Sequence, residues 1–405
     1  MHYKSLIYLV LLVIIFSGCS DANSDGDNPL TSTPKAGEFN NQNNEFGLNL
    51  FKQLNGTRRG NENVVLSPVS VSMALGLTYN GTAGETRSRL NRVLGWEEMT
   101  VPEINEYHKR LIQYYNNHTE NISLTIANSI WYNDRLNIYP DFLRNSKEYF
   151  AAYHSGYNSE STPAEINAWA SRKTEGNIEN IIEEFSTENM LYLMNATYFK
   201  GNWKYEFNEE KTAKSYFFKE DGTREKTRMM WQKADLNYYD GESFQMVELP
   251  YNNESFCMYI LLPDSTMSLN NLVKGLGVDK WKRYKSALEK KRNINFGMPK
   301  FHCEYNVGMK ELFAGMGVRG LFSQGGSDLS NISDEPLSIS EVMHKAAIDV
   351  DEKGTEATAA TSLAISFTTL VDDNPFTLVV NRPFIFAIEE KQSNSLLFIG
   401  KITNP

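Results

Sequence analysis

The sequence has few cysteines and no excess of positive charge, and both shortages exclude classes of protein. Three cysteines among 405 residues are too few for a fold held together by disulfides. Lys and Arg number 40 against 50 Asp and Glu, a net charge of −10, which argues against a nucleic-acid partner. The enzyme patterns GxSxG, HExxH and the P-loop are absent, and the six histidines lack metal-ligand spacing. We therefore expect no cofactor and no metal, although a serine–histidine–aspartate triad assembled in space stays open.

The body of the chain has the character of one globular domain that combines helices and sheets. Hydrophobic residues make up 41% and charged residues 22%, the balance of a globular protein. Apolar residues recur at helical spacing mainly in the first half, and short strand-like runs dominate the last third. No internal repeat or second linker follows residue 40. These patterns predict a single α+β domain with several sheets over residues 41–405.

The N-terminal residues have the character of a targeting segment. Lys4 precedes an apolar run over 6–16, which is too short to span a bilayer but suits a signal peptide. Small residues directly before Cys19 resemble the lipobox of bacterial lipoproteins, which are cut before the cysteine and carry a lipid on its thiol. The resemblance implies a signal peptide over 1–18 and a lipid anchor on Cys19. An ordinary signal peptide with a chance cysteine is the alternative.

Residues 19–40 are predicted to be a flexible tether, because up to residue 38 they contain one leucine and no aromatic side chain. Asp21, Asp25 and Asp27 near its start resemble export signals of surface lipoproteins in some bacterial lineages. Together with the lipobox they imply a protein anchored to the bacterial outer membrane. Because acidic tethers are common, the periplasmic and the outer surface both stay open.

Two further cysteines, Cys257 and Cys303, lie in apolar runs with strand character. Their spacing matches no metal motif, so we expect buried free thiols. A single disulfide between them is the alternative in an oxidising compartment.

The residues over 315–320 spell GxGxxG, a pattern typical of dinucleotide sites. Such a site needs a strand before the glycines, whereas Leu312 and Met316 belong to a run with helical spacing. The pattern therefore predicts the end of a helix followed by a turn.

A segment near the C-terminus alternates with a period of two over 355–368. One face carries Leu363, Ile365 and Phe367 and the other face is mostly polar, which is typical of a half-buried strand. No tight-turn signal follows until 372–375. The pattern alone favours a permanent strand over a loop that becomes a strand in a second state.

Several motifs occur in a fixed order along the body of the chain. They are 63–70 (NVVLSPVS), 167–178 (NAWASRKTEGNI), 193–203 (LMNATYFKGNW), 247–251 (VELPY), 298–301 (MPKF), the segment from 344 to 360, 381–384 (NRPF) and 398–401 (FIGK). Each motif is weak by itself. In this order they resemble the serpin family, and the match covers about residues 40–405.

The resemblance implies a serpin fold, with three β-sheets, eight or nine helices and an exposed reactive-centre loop over about 352–380. In serpins this loop is bait for serine proteases and, in some members, cysteine proteases. The protease cuts one bond and is trapped as an acyl-enzyme while the cut loop inserts into the main sheet. We therefore expect an irreversible protease inhibitor, not an enzyme, that acts as a monomer.

The start of the loop matches the hinge of inhibitory serpins, in which an acid is followed by glycine, threonine and small residues. Insertion begins at the hinge, so its side chains must enter a narrow gap. Proline and bulky residues are absent there, which implies an active inhibitor. A non-inhibitory serpin that acts as a binding or chaperone-like lipoprotein is the alternative. The matching positions are Glu352, Gly354, Thr355, Glu356, Ala357, Thr358, Ala359 and Ala360.

Counting from Glu352 at the family spacing places the cleaved bond between Thr368 and Thr369, and a slip of one residue would make Phe367 the bait. Thr368 suits elastase-like or subtilisin-like proteases, which have small primary pockets. Phe367 suits chymotrypsin-like proteases. No basic residue lies between 356 and 373, which argues against a trypsin-like target.

A second set of residues matches the polar cluster beneath the point where the main sheet of serpins opens. Hydrogen bonds there would hold the strands together and still allow them to part. A buried histidine with satisfied hydrogen bonds is compatible with the same pattern. The matching residues are Ser67, Ser70, Asn195 and His344, with Trp203 near the top of the opening.

Overall fold

A computed structural model describes residues 31, 33–57, 62–116, 122–158, 162–323, 328–355 and 376–405. This part of the chain contains nine α-helices and fifteen strands, which confirms the α+β prediction. The helices are α1 Ala36–Thr57, α2 Pro68–Gly81, α3 Gly84–Leu94, α4 Val101–Asn116, α5 Pro140–Phe150, α6 Thr162–Lys173, α7 Leu269–Gly275, α8 Val278–Ser286 and α9 Lys310–Phe313.

The strands form two hydrogen-bonded networks. Six strands, in the order β10-β11-β12-β4-β2-β3, make the network called here the main sheet, and the other nine follow the order β1-β15-β14-β8-β7-β6-β9-β13 with β5 on β6. The strands are β1 Val64–Leu66, β2 Ile122–Asn133, β3 Tyr153–Tyr157, β4 Leu191–Asn202, β5 Ala213–Phe218, β6 Arg224–Asp240, β7 Phe244–Pro250, β8 Phe256–Pro263, β9 Glu289–Pro299, β10 Phe301–Gly308, β11 Ile339–Val350, β12 Gly354–Thr355, β13 Thr377–Val379, β14 Phe384–Glu390 and β15 Ser395–Ile402.

The nine-stranded network contains two of the three sheets that the family resemblance implies. Strand β6 is 17 residues long and belongs to both of them. Its first residues pair with β5 and its last residues pair with β7, while β9 follows it through the middle. The two sheets are therefore continuous through one strand.

The main sheet is covered on both faces. Strand β4 is buried almost throughout, as its apolar sequence predicts for a central strand. One face packs on the large core shared with α1, α2 and the nine-stranded network. The other face holds a smaller core beneath α6, which includes Trp169, Tyr192 and Tyr198. The sheet can therefore gain a strand only by parting two that are already packed.

The first helix corrects the predicted end of the tether. Helix α1 begins at Ala36, and Phe39 is fully buried with its ring stacked on Tyr107 at 4.4 Å between centroids. Residues 36–40 therefore belong to the folded domain, because an apolar contact with α4 fixes them. The polar composition up to residue 38 hides this contact from the sequence.

The GxGxxG segment ends a helix, as the helical spacing predicts. Helix α9 continues into a single π turn over Ala314–Val318 and then into a 3-10 turn over Arg319–Phe322. Gly317 has a φ of 103°, a value that favours glycine. No strand leads into these glycines, so they lack the context of a dinucleotide site.

Cys257 and Cys303 are buried free thiols, which confirms the first of the two interpretations for this pair. Burial raises the pKa of Cys303 to about 12, so its reactive thiolate form is suppressed. Within the described residues, no three side chains of the His, Cys, Asp and Glu types come together as metal ligands would. None of the helices described here is both long enough and apolar enough to cross a membrane.

Candidate functional site

Three polar side chains line up across the main sheet. His344 on β11 is the register partner of Asn195 on β4, and Asn195 is also the partner of Asn128 on β2. Residues that face each other across strands point to the same side of a sheet. The alignment therefore places a continuous polar row at the contact between β11 and β4, which we call the seam.

His344 is held neutral by the geometry of this row. The backbone N–H of Ser67 donates to His344 Nε2 at 3.2 Å, so the ring proton lies on Nδ1, 2.6 Å from Asn195 Oδ1. Ser70 Oγ also donates to that oxygen at 2.8 Å. Burial lowers the pKa of His344 to about 3, because a charged ring would lose its hydration.

The end of helix α2 is tied to the seam. Ser67 caps the helix, with its side chain accepting from the backbone of Ser70 and with Pro68 at the first helical position; the Ser-Pro pattern is typical of such a cap. Asn195 Nδ2 donates to the Ser70 carbonyl at 3.2 Å and to Asn128 Oδ1 at 2.8 Å. All four predicted cluster residues therefore share one hydrogen-bonded network.

Asn128 is a member of this network that sequence reasoning missed. Its own amide donates to the carbonyl of Phe150, at the end of α5, at 3.3 Å. The available signal was an asparagine inside the otherwise apolar strand segment over 126–131. A buried asparagine needs partners, but its alignment with Asn195 is visible only in the strand register.

The upper end of the seam is already parted. Strands β11 and β4 pair in parallel up to Ala347 and Tyr198, and above that point the short strand β12 lies between them. Gly354 faces Asn202 and Thr355 faces Gly201, antiparallel to β4, and Thr355 also pairs with Val350 on β11. The first hinge residues therefore already occupy the position of a new strand.

Gly354 is required at its position by a close backbone contact. A Cβ atom there would lie 2.1 Å from the carbonyl oxygen of Gly201, much closer than real atoms approach. The next residue, Thr355, is fully buried. The gap between the strands therefore admits a glycine followed by a small side chain, as the hinge pattern implies.

Two aromatic side chains form one wall of this gap. Trp203 stacks on Tyr251 with ring centroids 4.6 Å apart, and its Nε1 donates to the carbonyl of Asp351 at 3.0 Å. The hydroxyls of Tyr251 and Thr355 share a hydrogen bond of 2.7 Å. Burial raises the pKa of Tyr251 far above its usual range, so this hydroxyl stays protonated. Tyr251 was not predicted, although it ends the VELPY motif.

Glu352 anchors the turn that leads into β12. Its carboxylate is mostly buried and accepts from Lys300 Nζ at 2.9 Å. Burial opposes ionisation, but the hydrogen bond from Lys300 outweighs it in the balance, and the pKa of Glu352 is lowered. The carbonyl of Glu352 also accepts from the backbone of Phe207 at 2.8 Å. The turn is therefore fixed at both its side chain and its backbone.

The described residues shorten the predicted exposed loop over 352–380 at both ends. Glu352 and Thr355 are buried, and Thr377–Val379 form strand β13 on β9. Backbone pairing holds each end within a sheet. The other predicted site residues lie outside the part of the chain that the structure describes: Cys19, Glu356, Ala357, Thr358, Ala359, Ala360, Phe367, Thr368 and Thr369.

Comparisons with known proteins agree with this architecture. A family profile described as Serpin (serine protease inhibitor) matches residues 41–405. The leukocyte elastase inhibitor of Equus caballus is 31% identical over 90% of this chain and 98% of its own length. The crystal structure of the thermophilic serpin Tengpin in its native state has a TM-score of 0.82 at 31% identity, covering 91% of this chain and 94% of that chain.

The chain therefore belongs to the serpin family, whose members inhibit proteases rather than act as enzymes. The fold alone does not assign inhibition to every member. Human thyroxine-binding globulin has a TM-score of 0.83 at 23% identity, covering 91% of this chain and 98% of its own, and its name assigns it hormone binding. The hinge and the seam, and not the fold, therefore carry the functional argument.

Proposed function

We propose that this serpin is an irreversible suicide-substrate inhibitor of serine proteases, with cysteine proteases as a further target class. The observation that carries the proposal is the pairing of Gly354 and Thr355 between β11 and β4. A hinge seated in this way lets a cut loop extend β12 without first opening the sheet.

The covalent step takes place at the proposed bond between Thr368 and Thr369. The protease serine oxygen attacks the Thr368 carbonyl carbon, the peptide bond breaks, and Thr369 leaves as a protonated amine. Thr368 then holds the protease through an ester. Phe367 remains the alternative bait if the register slips by one residue.

Extension of β12 follows from its register. Thr355 faces Gly201 in an antiparallel pair, so each later loop residue would face the preceding residue of β4. On this count Thr361 would face Asn195, on the same side of the sheet as the polar row. A threonine hydroxyl would then replace hydrogen bonds that His344 loses when the seam opens. The loop thus carries a polar residue where the sheet needs one.

The distance covered also supports this proposal. Fourteen residues over 355–368 extend roughly 45 Å at about 3.3 Å per residue, longer than the paired part of β4. The acylated end would therefore reach past the polar row to the opposite end of the sheet, and the protease would be carried with it. Deformation of its active site in that position would prevent hydrolysis of the ester.

A denaturing gel tests this proposal. The protein is mixed with chymotrypsin, pancreatic elastase and subtilisin, and at least one enzyme should give a detergent-resistant band at the summed mass. If every enzyme cuts the loop and remains free, the inhibitory proposal is wrong. A non-inhibitory serpin with a binding or chaperone-like role would then be the better explanation.

We also propose that the mature protein is a monomer anchored to the outer membrane through a lipid on Cys19. The lipobox-like residues before Cys19 and the acidic tether support this proposal. Cys19→Ala should abolish incorporation of labelled palmitate and release the protein from membranes. Cys257→Ala is the matched control, because this buried thiol should leave labelling unchanged. Equal labelling of wild type and Cys19→Ala would contradict the anchor.

A further inference from the structure

The hairpin of β5 and β6 presents a face that packs on nothing in the described chain. Its alternate residues, Phe217 and Thr227, are buried. Tyr216 and Phe218 are 40% and 46% exposed, and they are two of the three large apolar side chains exposed in the described residues. We call the outward residues the hairpin face: Lys214, Tyr216 and Phe218 on β5, and Arg224, Lys226 and Arg228 on β6.

The hairpin face alternates aromatic and cationic side chains. In the strand register Phe218 faces Arg224, and Tyr216 faces Lys226. The Arg224 guanidinium lies 4.1 Å from the centre of the Tyr216 ring, a cation–π contact. The acidic neighbour, Glu225, belongs to the alternate set of residues and pairs with Lys219 instead. Four positive charges therefore stand together on a chain whose net charge is −10.

This face is continuous with the far end of the proposed bait loop. The backbone N–H of Phe218 donates to the carbonyl of Asn381 at 2.8 Å, two residues after β13 ends. Beside it lies a cleft of about 540 Å³, lined among others by Phe218, Met267 and Arg382. A protein that grips the loop would meet this corner of the molecule.

We propose that the hairpin face binds an acidic surface patch of the target protease while that protease occupies the loop. This inference rests on the proposed function. Asn381 is twelve residues from Thr369, at most about 43 Å of chain, which is close to the width of a protease of about 230 residues. Tyr and Arg are typical of interface hot spots, and the positive charges would accelerate encounter with an acidic partner.

The face would therefore select among proteases that cut the same bond. Because the hairpin lies outside the main sheet, it has no part in loop insertion. Its loss should slow the encounter and leave the fate of the acyl-enzyme unchanged. The second-order rate constant and the stoichiometry of inhibition separate these two effects.

The test compares two triple variants with equal changes in charge. Arg224→Glu, Lys226→Glu and Arg228→Glu alter the hairpin face; Lys280→Glu, Lys282→Glu and Arg283→Glu alter exposed positions on α8 and serve as the control. The probes are the proteases of the panel, each acetylated or succinylated on its lysines so that one form is much more acidic. Melting curves verify folding of both variants.

We expect wild type to trap the succinylated protease at least tenfold faster than the acetylated one at 50 mM NaCl, and the gap to shrink at 500 mM. The hairpin variant should lose this preference with unchanged stoichiometry, whereas the α8 variant should keep it. Tyr216→Ser with Phe218→Ser should slow trapping equally at both salt concentrations. A uniform net charge of −10 predicts the opposite preference in wild type.

Three results would overturn this inference. Equal rate constants for the hairpin and α8 variants would show that the face does not contact the protease. Binding of wild type, but not the hairpin variant, to phosphatidylglycerol vesicles with no change in trapping rates would assign the face to a membrane. If wild type traps no protease at all, the proposed function fails and takes this inference with it, which the wild-type lane alone reveals.

Discussion

The two ends of the seam between β11 and β4 are built in different ways. At the lower end His344, Asn195 and Ser70 join the strands through side-chain hydrogen bonds. At the upper end the strands are parted, and Gly354 and Thr355 sit between them. Hydrogen bonds of the lower kind can be exchanged for others at small net cost. Steric fit of the upper kind admits only small residues.

The difference indicates the order in which the sheet opens. The upper end fixes where a new strand begins and which side chains enter first. The lower end fixes how firmly the remaining pairs stay closed. Substitutions at the upper end should therefore change the outcome of the protease reaction, and substitutions at the lower end should change the stability of the intact protein.

The largest effect is expected from Thr355→Arg. Thr355 is fully buried, and an unpaired guanidinium in that gap costs several kcal/mol. Insertion would slow, and hydrolysis of the acyl-enzyme would win. We expect the number of inhibitor molecules consumed per protease to rise from about one to more than ten, with cleavage at the same bond. Thr355→Ser, which keeps the hydroxyl that faces Tyr251, is the control; equal stoichiometry in both variants would contradict the role of this residue.

Gly354→Ala should have a similar but smaller effect. Its new Cβ would collide with the Gly201 carbonyl, so β12 would leave the sheet before the loop is cut. We expect a several-fold rise in the stoichiometry of inhibition. Gly277→Ala is the matched control, because a Cβ there meets nothing within 4 Å. If both glycine variants trap protease alike, the close contact at Gly201 has no part in the mechanism.

The lower end should show its character in acid. The pKa of His344 is lowered by burial from 6.5 to about 3, so the folded chain binds fewer protons than the unfolded chain between these values. The stability that neutral His344 contributes is present above pH 6.5 and falls as the pH drops toward 3. At about 1.4 kcal/mol per pKa unit, roughly 3 kcal/mol is lost by pH 4.

His344→Gln tests this assignment. Glutamine stays neutral, so the loss of unfolding free energy between pH 7 and pH 4, measured by urea denaturation, should shrink by about 3 kcal/mol relative to wild type. Burial also lowers the pKa of His108, to about 4, but that residue is present in both proteins and its effect cancels. An unchanged pH dependence would remove His344 from the account.

Tyr251→Phe should have the smallest effect. It deletes the hydroxyl that bonds Thr355 Oγ1 and keeps the ring that stacks on Trp203. One neutral hydrogen bond contributes about 1 kcal/mol, so the amide of Thr355 should exchange its hydrogen about fivefold faster. Tyr284→Phe, at a half-buried tyrosine on α8, should leave that rate unchanged. The same exchange rate in both variants would contradict the bond.

The sequence predicted the fold and most of the polar cluster because their signals are local. The Ser67-Pro68 cap and the strand pattern of β4 each lie within a short segment. Asn128 was missed because its alignment with Asn195 is a property of the register between two strands. The pairing of Thr355 with β4 was missed for the same reason. Phe39 was assigned to the tether because its partner, Tyr107, is distant in sequence.

The melting temperature of the loop-cut protein tests the central claim most directly. If the cut loop extends β12 between β11 and β4, about a dozen ladder hydrogen bonds at about 1 kcal/mol each are added. Divided by an unfolding entropy of about 0.8 kcal/mol/K for about 370 residues, this predicts a rise of about 12 °C over the intact protein. Thr355→Arg should gain clearly less. An unchanged melting temperature in cut wild type would show that the loop does not enter the sheet.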